Sequence, residues 1–316
     1  MSTSTLSLLI PAYNAAAYLP TLLASARAQT IPFDEIWVYD DCSTDNTSEV
    51  AEAHGAKVLR GDVNKGCSAG KDALARLVET DWMHFHDADD ELMPNFVSLA
   101  HKWIKDNRYD VVLFDYEYVD FETKELLAKR RFDREKLESD PKAYAILEQI
   151  NAICGLYRRS AYLTAGGYDL DPHVLYNEDV AFHIRLAFAG LTFSAESEVS
   201  IRNYRFSNSM SVSNYRKCAD AHYHVLLKAL QLDACEAYRK QVAFKLWNAT
   251  AVLASCNSWQ NAFGAAELAA RYAPPPKQTT NSVFRLLASI NPKWAVSFRE
   301  NWIRVTKPSL RPFLLA

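Results

Sequence analysis

The sequence is short of the features that announce a covalent staple, a membrane anchor or a disordered tail. Its six cysteines, Cys42, Cys67, Cys154, Cys218, Cys235 and Cys256, are scattered, with no CxxC pair and no zinc-like spacing. That usage reads as reduced thiols in a cytosolic protein rather than a disulfide framework. No apolar run approaches the roughly 18 residues that a membrane-spanning helix needs. The opening stretch MSTSTLSLLIPAYN lacks a basic region and its apolar run stops at Pro11, which argues against a secretory leader. Internal repeats and low-complexity tracts are missing. An excess of either charge is missing too: the net value is −3, so any attraction to anionic partners has to be local.

What is present is a globular composition. Of the 316 residues, 49% are apolar and 23% charged, enough to bury a sizeable core in one large domain or two smaller ones. Over the first 115 residues two periods alternate. Short β-rich runs (LSLLI at 6–10, EIWVY at 35–39, AKVL at 56–59, WMHFH at 82–86, VVLF at 111–114) are separated by helical patterns over 16–28, 46–54, 67–79 and 95–107. This spacing predicts βαβ units and an α/β fold with a mainly parallel sheet and helices on both faces. Asn46, Thr47 and Ser48 are N-cap candidates for the second helix. Residues 115–213 read as a charged helix (DREKLESDPKAYAILEQI), a loop and short strands; from 215 the period is helical throughout, broken at YAPPPKQTT (272–280).

In open sheets of this kind ligands bind beyond the carboxyl ends of the strands. Three polar clusters fall there: PAYN, DDCSTD and DADD. In FHDADDELMP three carboxylates, Asp87, Asp89 and Asp90, stand within four positions. On an extended strand end Asp87 and Asp89 would point to one side, about 7 Å apart, a spacing that suits hard oxygen ligation of Mg²⁺ or Mn²⁺. The same residues also suit an acid-rich turn that caps the next helix. Tyr13 offers a ring to a nucleobase or to the core, and Asp41 an acceptor for a uracil imide or for a helix cap. In NKGCSAGKDAL, Gly66 and Gly70 open a helix where backbone amides and Lys71 would approach an anion. A further acid pair, Glu178 and Asp179, opens the amphipathic stretch EDVAFHIRLAFAG, either to suit the helix dipole or to supply a general base. His183 lies one turn beyond, packed or orienting that base.

Taken in order, SLLIPAYNAAAYLPTLLASARAQ, EIWVYDDCSTDNTSEVAE, NKGCSAGKDAL, MHFHDADDELMP, LYRRSAYLTAGGYDLD and NEDVAFHIRLAFAG resemble the bacterial-type family 2 inverting glycosyltransferases, which have the GT-A fold. The resemblance covers residues 6 to about 213. It implies a glycosyltransferase domain over 1–213, with 1–115 as the nucleotide-binding half and 116–213 as the acceptor half, followed by a helical extension over 214–316. It further implies transfer from a nucleotide donor, UDP by preference, to a saccharide or lipid-linked hydroxyl, assisted by Mg²⁺ or Mn²⁺. Pro11, Tyr13, Asp41, Lys71, Asp87 and Ala88 are thereby expected around the nucleotide, Asp89 on the metal, Asp179 as the base and Glu178 as its support. Asp90 resembles the helix-capping acid that often follows.

One departure stands out: where the family often carries a histidine that serves as a further metal ligand, the segment NYRFSNSMSVS places Phe206. Weaker metal binding follows, unless His84, His86 or His173 substitutes. The departure also keeps open a non-catalytic nucleotide-sugar binding module. A nucleotidyltransferase is disfavoured, because PAYNAAAY is neither glycine-rich nor basic.

The tail 284–316 carries Arg285, Lys293, Arg299, Arg304, Lys307 and Arg311 against Glu300 alone, with Trp294, Phe298 and Trp302 at every fourth position. Such a stripe either packs on the preceding helices or lies on an anionic membrane surface, which would make the cytoplasmic protein peripheral to the inner membrane.

Overall fold

The structure, a computed structural model, describes residues 4–206 and 213–311. Strand β1 (Leu6–Ala12), helix α1 (Leu19–Arg27), β2 (Glu35–Asp40), α2 (Thr47–Ala53), β3 (Lys57–Arg60), α3 (Cys67–Leu77) and β4 (Trp82–Phe85) form the expected alternation. Each lies within a few residues of its sequence pattern, because both periods are strong here. Every residue of β1 and β4 is buried, as a strand covered on both faces must be.

After the short β5 (Glu91–Leu92) come α4 (Phe96–Asp106), β6 (Val111–Asp120), β7 (Leu126–Arg130), α5 (Arg134–Ser139), α6 (Pro141–Leu147), β8 (Gly155–Arg158), α7 (Arg159–Thr164), α8 (Glu178–Phe188) and β9 (Phe193–Arg205). The charged helix expected over DREKLESDPKAYAILEQI is therefore two helices. Pro141 starts the second, since proline lacks an amide and disfavours helical backbone at the residue before it; Asp140 sits at φ −149°, ψ 80°. The strands of this region are not all short either: β9 runs 13 residues.

The nine strands of the described residues make one sheet in the order β3-β2-β1-β4-β8-β6-β9-β5, with β7 paired to β6. It is parallel from β3 to β4, as expected, and mixed beyond: β8 runs antiparallel to both β4 and β6, while β9 rejoins β6 in parallel. The mainly parallel sheet thus describes the first half alone. Alternation of apolar residues sets which face a strand buries, but the neighbour it chooses is a long-range matter.

The remaining α-helices among the described residues are α9 (Tyr215–Ala229), α10 (Arg239–Ser255), α11 (Trp259–Tyr272), α12 (Ser282–Ile290) and α13 (Pro292–Thr306). Two compact units result. One comprises 1–144, 150–170 and 185–209 and holds the whole sheet; the other comprises 145–149, 171–184 and 210–316. The chain crosses between them repeatedly, so the compact units interleave across residue 213. No disulfide forms among the described cysteines.

Candidate active site

In the sheet unit, Pro11 pairs with Tyr39 and Leu9 with Phe85, so the carboxyl ends of β1, β2 and β4 lie side by side. The loops leaving β1 and β2 are knitted together. Asp41 N–H donates to Ala12 O at 2.8 Å, Thr44 N–H to Asn14 Oδ1 at 2.9 Å, and Asn14 N–H to Ser43 Oγ at 2.9 Å. Asn14 occupies the left-handed region at φ 49°, which turns the chain just after Tyr13. Tyr13 is 51% exposed, so its ring belongs to no core. Pro11 and Ala88, by contrast, are buried beneath this edge.

Asp41 is also buried, and its carboxylate is held by the next loop: Oδ1 accepts Lys65 N–H at 2.8 Å and Oδ2 accepts Gly66 N–H at 2.7 Å. It does not cap α2. There Asp45 accepts the Thr47 amide at 3.1 Å, and Asn46 makes no side-chain cap. Ser48 donates instead to the fully buried Asp40, whose hydrogen bonds outweigh its burial and hold its carboxyl below the usual range. Neither Asn14 nor the Asp40–Ser48 pair announces itself in the sequence, because both act only through a partner loop.

The acids after β4 form a turn rather than the extended strand end expected from their spacing. His86 N–H still donates to Leu9 O at 3.0 Å, but Asp90 N–H then closes on Asp87 O at 3.2 Å. Three adjacent carboxylates consequently have three surroundings. Asp87 Oδ1 faces Lys71 Nζ at 3.3 Å, with Lys71 itself buried and its ammonium 5.8 Å from the Tyr168 ring centre. The anion that Lys71 meets is the protein's own. Asp89 is half-buried, and burial, with the charge of Asp87 adding to it, pushes its carboxyl up to about 6. Asp90 is buried and accepts Tyr204 N–H at 2.8 Å and the Asn203 amide at 2.6 Å. It therefore ties β9 to the site and caps no helix, correcting the expectation from sequence; burial and its acidic neighbours push it well above the usual range.

His84 and His86 are fully buried behind these acids, and burial drives both below ordinary histidine values, His84 to about 3. With His84 Nδ1–H donating to Gly155 O at 2.8 Å, its Nε2 accepts from His86 Nδ1–H at 3.0 Å, which leaves His86 Nε2 as an acceptor without a partner among the described residues. Both are neutral core histidines. Phe206 stacks on Phe121 at 4.2 Å with Tyr18 edge-on at 5.5 Å, so an aromatic cluster stands where a ligating histidine was expected. Residues 207–212 of that segment lie outside the described residues.

In the helical unit, Glu178 and Asp179 open α8, Glu178 buried and Asp179 half-buried. His183 is fully buried, and its Nδ1–H donates to the backbone oxygen of Asp179 at 2.7 Å. The approach to the acid pair is gripped by α9. Lys228 Nζ reaches Asp171 at 2.8 Å, Lys217 Nζ reaches the Tyr176 hydroxyl at 3.4 Å, and His222 Nδ1–H donates to Asn177 Oδ1 at 3.0 Å. His173 pairs with Asp171 at 2.8 Å and packs on His224. None of these α9 residues was singled out from the sequence. Lys217, His224 and Lys228, at i, i+7 and i+11 on one helix face, were the available signal.

The model of a family described as "Glycosyl transferase family 2" matches residues 7–163. An uncharacterized glycosyltransferase of Haemophilus influenzae is 36% identical over 90 residues, 28% of this chain and 31% of that protein. The chondroitin synthase of Escherichia coli is 35% identical over 98 residues, 30% of this chain and 14% of that protein. The matched segments thus span less than a third of either relative. Among solved structures, Staphylococcus aureus TarS 1–349 in complex with UDP-GlcNAc superposes with a TM-score of 0.70 at 18% identity, over 98% of this chain and 92% of that one. The mannosyltransferase PcManGT of Pyrobaculum calidifontis, in complex with GDP-Man and Mn²⁺, does so at 0.57 and 18%, over 96% and 88%. Likeness at such identity shows a shared fold.

Proposed function

Because the chain belongs to glycosyl transferase family 2 and has the GT-A fold, we propose that it transfers a sugar from a nucleotide donor, UDP-linked by preference, to a hydroxyl of a saccharide or lipid-linked acceptor with inversion. The observation that carries this reading is the meeting of Tyr13, Asp41 and the Asp87–Asp89 turn at the ends of three adjacent strands.

In this reading the exposed Tyr13 ring stacks on the base. Asp41, pinned by the amides of Lys65 and Gly66, keeps a lone pair on each oxygen for the imide N–H. Asp87, steadied by Lys71, takes a hydroxyl of the ribose or donor sugar, and Pro11 and Ala88 shape the floor. Asp89 is the residue for Mg²⁺ or Mn²⁺. A half-buried carboxylate whose charge is disfavoured by its surroundings gains from a cation. Among the described residues no three Asp, Glu, His or Cys side chains gather to hold a metal unaided. That suits an ion that takes one or two carboxylates and completes its shell with phosphate and water. When bound, the ion supplies Lewis-acid neutralisation of the departing diphosphate.

Asp179 accepts the acceptor's hydroxyl proton as that oxygen bonds to the anomeric carbon and the bond to the diphosphate breaks on the opposite side. Glu178 supports it. A positioned base of this type contributes about 10²–10⁴-fold. Asp179→Asn should therefore lose transfer by at least about a hundredfold while binding UDP near normally, and Asp89→Ala should lose both. Calorimetric titration of UDP with Mn²⁺ and a product assay over a panel of UDP-sugars check this; transfer retained by Asp179→Asn removes its assignment. Phe206 in place of histidine favours one second reading, a binding module without turnover, which wild-type UDP binding with neither transfer nor hydrolysis would establish.

A further inference from the structure

The last two helices bury one side and leave the other apolar side open. On α13, Ala295, Val296 and Glu300 are buried where the helix packs on α10 and α11. Trp294, Phe298, Trp302 and Val305 are 61%, 51%, 61% and 81% exposed. Their spacing of 4, 4 and 3 residues draws one stripe along the helix. Helix α12 repeats the arrangement: Phe284 and Ala288 are buried, whereas Val283, Leu286 and Ile290 are more than half exposed. Packing therefore accounts for the inner residues and not for the stripe. Single exposed apolar residues are ordinary, but two tryptophans and a phenylalanine at one-turn intervals are not scattered singles.

Charge says what would cover it. Between 282 and 311 six basic residues face one glutamate, in a chain whose total is −3. That Glu300 is buried, 2.9 Å from Arg304 Nε and 2.8 Å from Arg311, so it draws these two arginines inward and leaves Arg285, Lys293, Arg299 and Lys307 as the basic residues toward the surface. Lys307, one position beyond the helix, is exposed, and Lys293 and Arg299 are partly exposed, whereas Arg304 is turned inward onto Glu300 and the Ala254 backbone oxygen. Lys293 also reaches Glu267 at 2.9 Å, at the exposed edge. No described helix is long and apolar enough to cross a membrane. An apolar stripe carrying two exposed tryptophans on helices with a basic excess matches the plane between lipid headgroups and acyl chains.

We infer that the open face of α12 and α13 docks on an anionic lipid bilayer, with the Trp294–Val305 stripe at headgroup depth and the exposed basic residues, Lys307 and Lys293 among them, on lipid phosphates. The inference is independent of the donor chemistry proposed above.

Co-sedimentation of the full chain with vesicles of phosphatidylcholine and phosphatidylglycerol (7:3) tests it. Partition should exceed that on pure phosphatidylcholine by about tenfold and fall steeply from 0.1 to 0.5 M salt. Trp294→Ser/Trp302→Ser should reduce partition about tenfold with melting temperature and UDP binding unchanged, since both rings are exposed. Lys307→Glu should weaken binding to the anionic vesicles alone. Absent partition, equal partition on both vesicle types, or an undiminished double variant each overturn the inference. So does a wild type that ignores vesicles and dimerises through this stripe in sedimentation velocity, which would make the face a contact between copies.

Discussion

At the scale of the residue, Asp89, the residue proposed for the metal, costs stability where it is ionised. Its folded-state value of about 6 lies above the ordinary 3.8, so between these pH values the folded protein holds a proton that the unfolded chain has released. Stability from this group is present at low pH and is lost as pH rises through about 6. Without metal, Asp89→Asn should thus raise unfolding stability at pH 7.5 by about 1–3 kcal/mol, with the gain vanishing at pH 4. Urea melts in EDTA at the two pH values check this, and an equal effect at both would refute the assignment. The acid cluster was plain in the sequence. Its division among a lysine-paired Asp87, a poised Asp89 and a strand-tying Asp90 was not, because Lys71, Asn203 and Tyr204 arrive from elsewhere in the chain.

At the scale of the element, close packing of α3 holds in shape the sheet edge proposed for the nucleotide. A Cβ added at Gly70 would meet Tyr39 Cδ1 at 2.7 Å and Pro11 Cβ at 3.4 Å. Tyr39 is itself buried. Alanine would gain about 0.5–1 kcal/mol of helix propensity, against about 1–3 kcal/mol for overpacking. Overpacking should win. Gly70→Ala is expected to lower stability by about 1–2 kcal/mol and weaken UDP binding severalfold through displacement of Pro11 and the loop that carries Tyr13. Denaturant melts and calorimetry measure both. Periodicity located α3 well, since its apolar face is strong, but it could not show that the glycine is there for contact. The single helix expected over DREKLESDPKAYAILEQI split at Pro141 because a helical pattern of side chains does not restore a missing amide.

At the scale of the whole molecule, the interleaving of the units matters most. Residues 171–184, which end in Glu178, Asp179 and the start of α8, pack with the helices after 210 rather than with the sheet. Asp171, Tyr176 and Asn177 are each held by a side chain of α9. Removing 214–316 should therefore abolish transfer, although the family match ends at residue 163. A gentler change, Lys228→Ala, should reduce kcat severalfold with UDP affinity unaltered, because it frees the approach to the acid pair without touching the nucleotide edge. Steady-state kinetics beside UDP titration distinguish this from general destabilisation, which would lower both.

The sequence by itself determined the elements of the first half and the identity of the acidic clusters, because these rest on local period, turn chemistry and neighbouring charge. It could show that the tail carries an aromatic stripe, but not whether that stripe was buried. Tertiary structure alone decided where β8 and β9 insert, which acids are buried, that His84 and His86 spend their ring nitrogens in the core, and that α9 holds the segment before Asp179. Each of these depends on a contact between residues far apart in the chain, and separation of that kind leaves no periodic trace in the order of the amino acids.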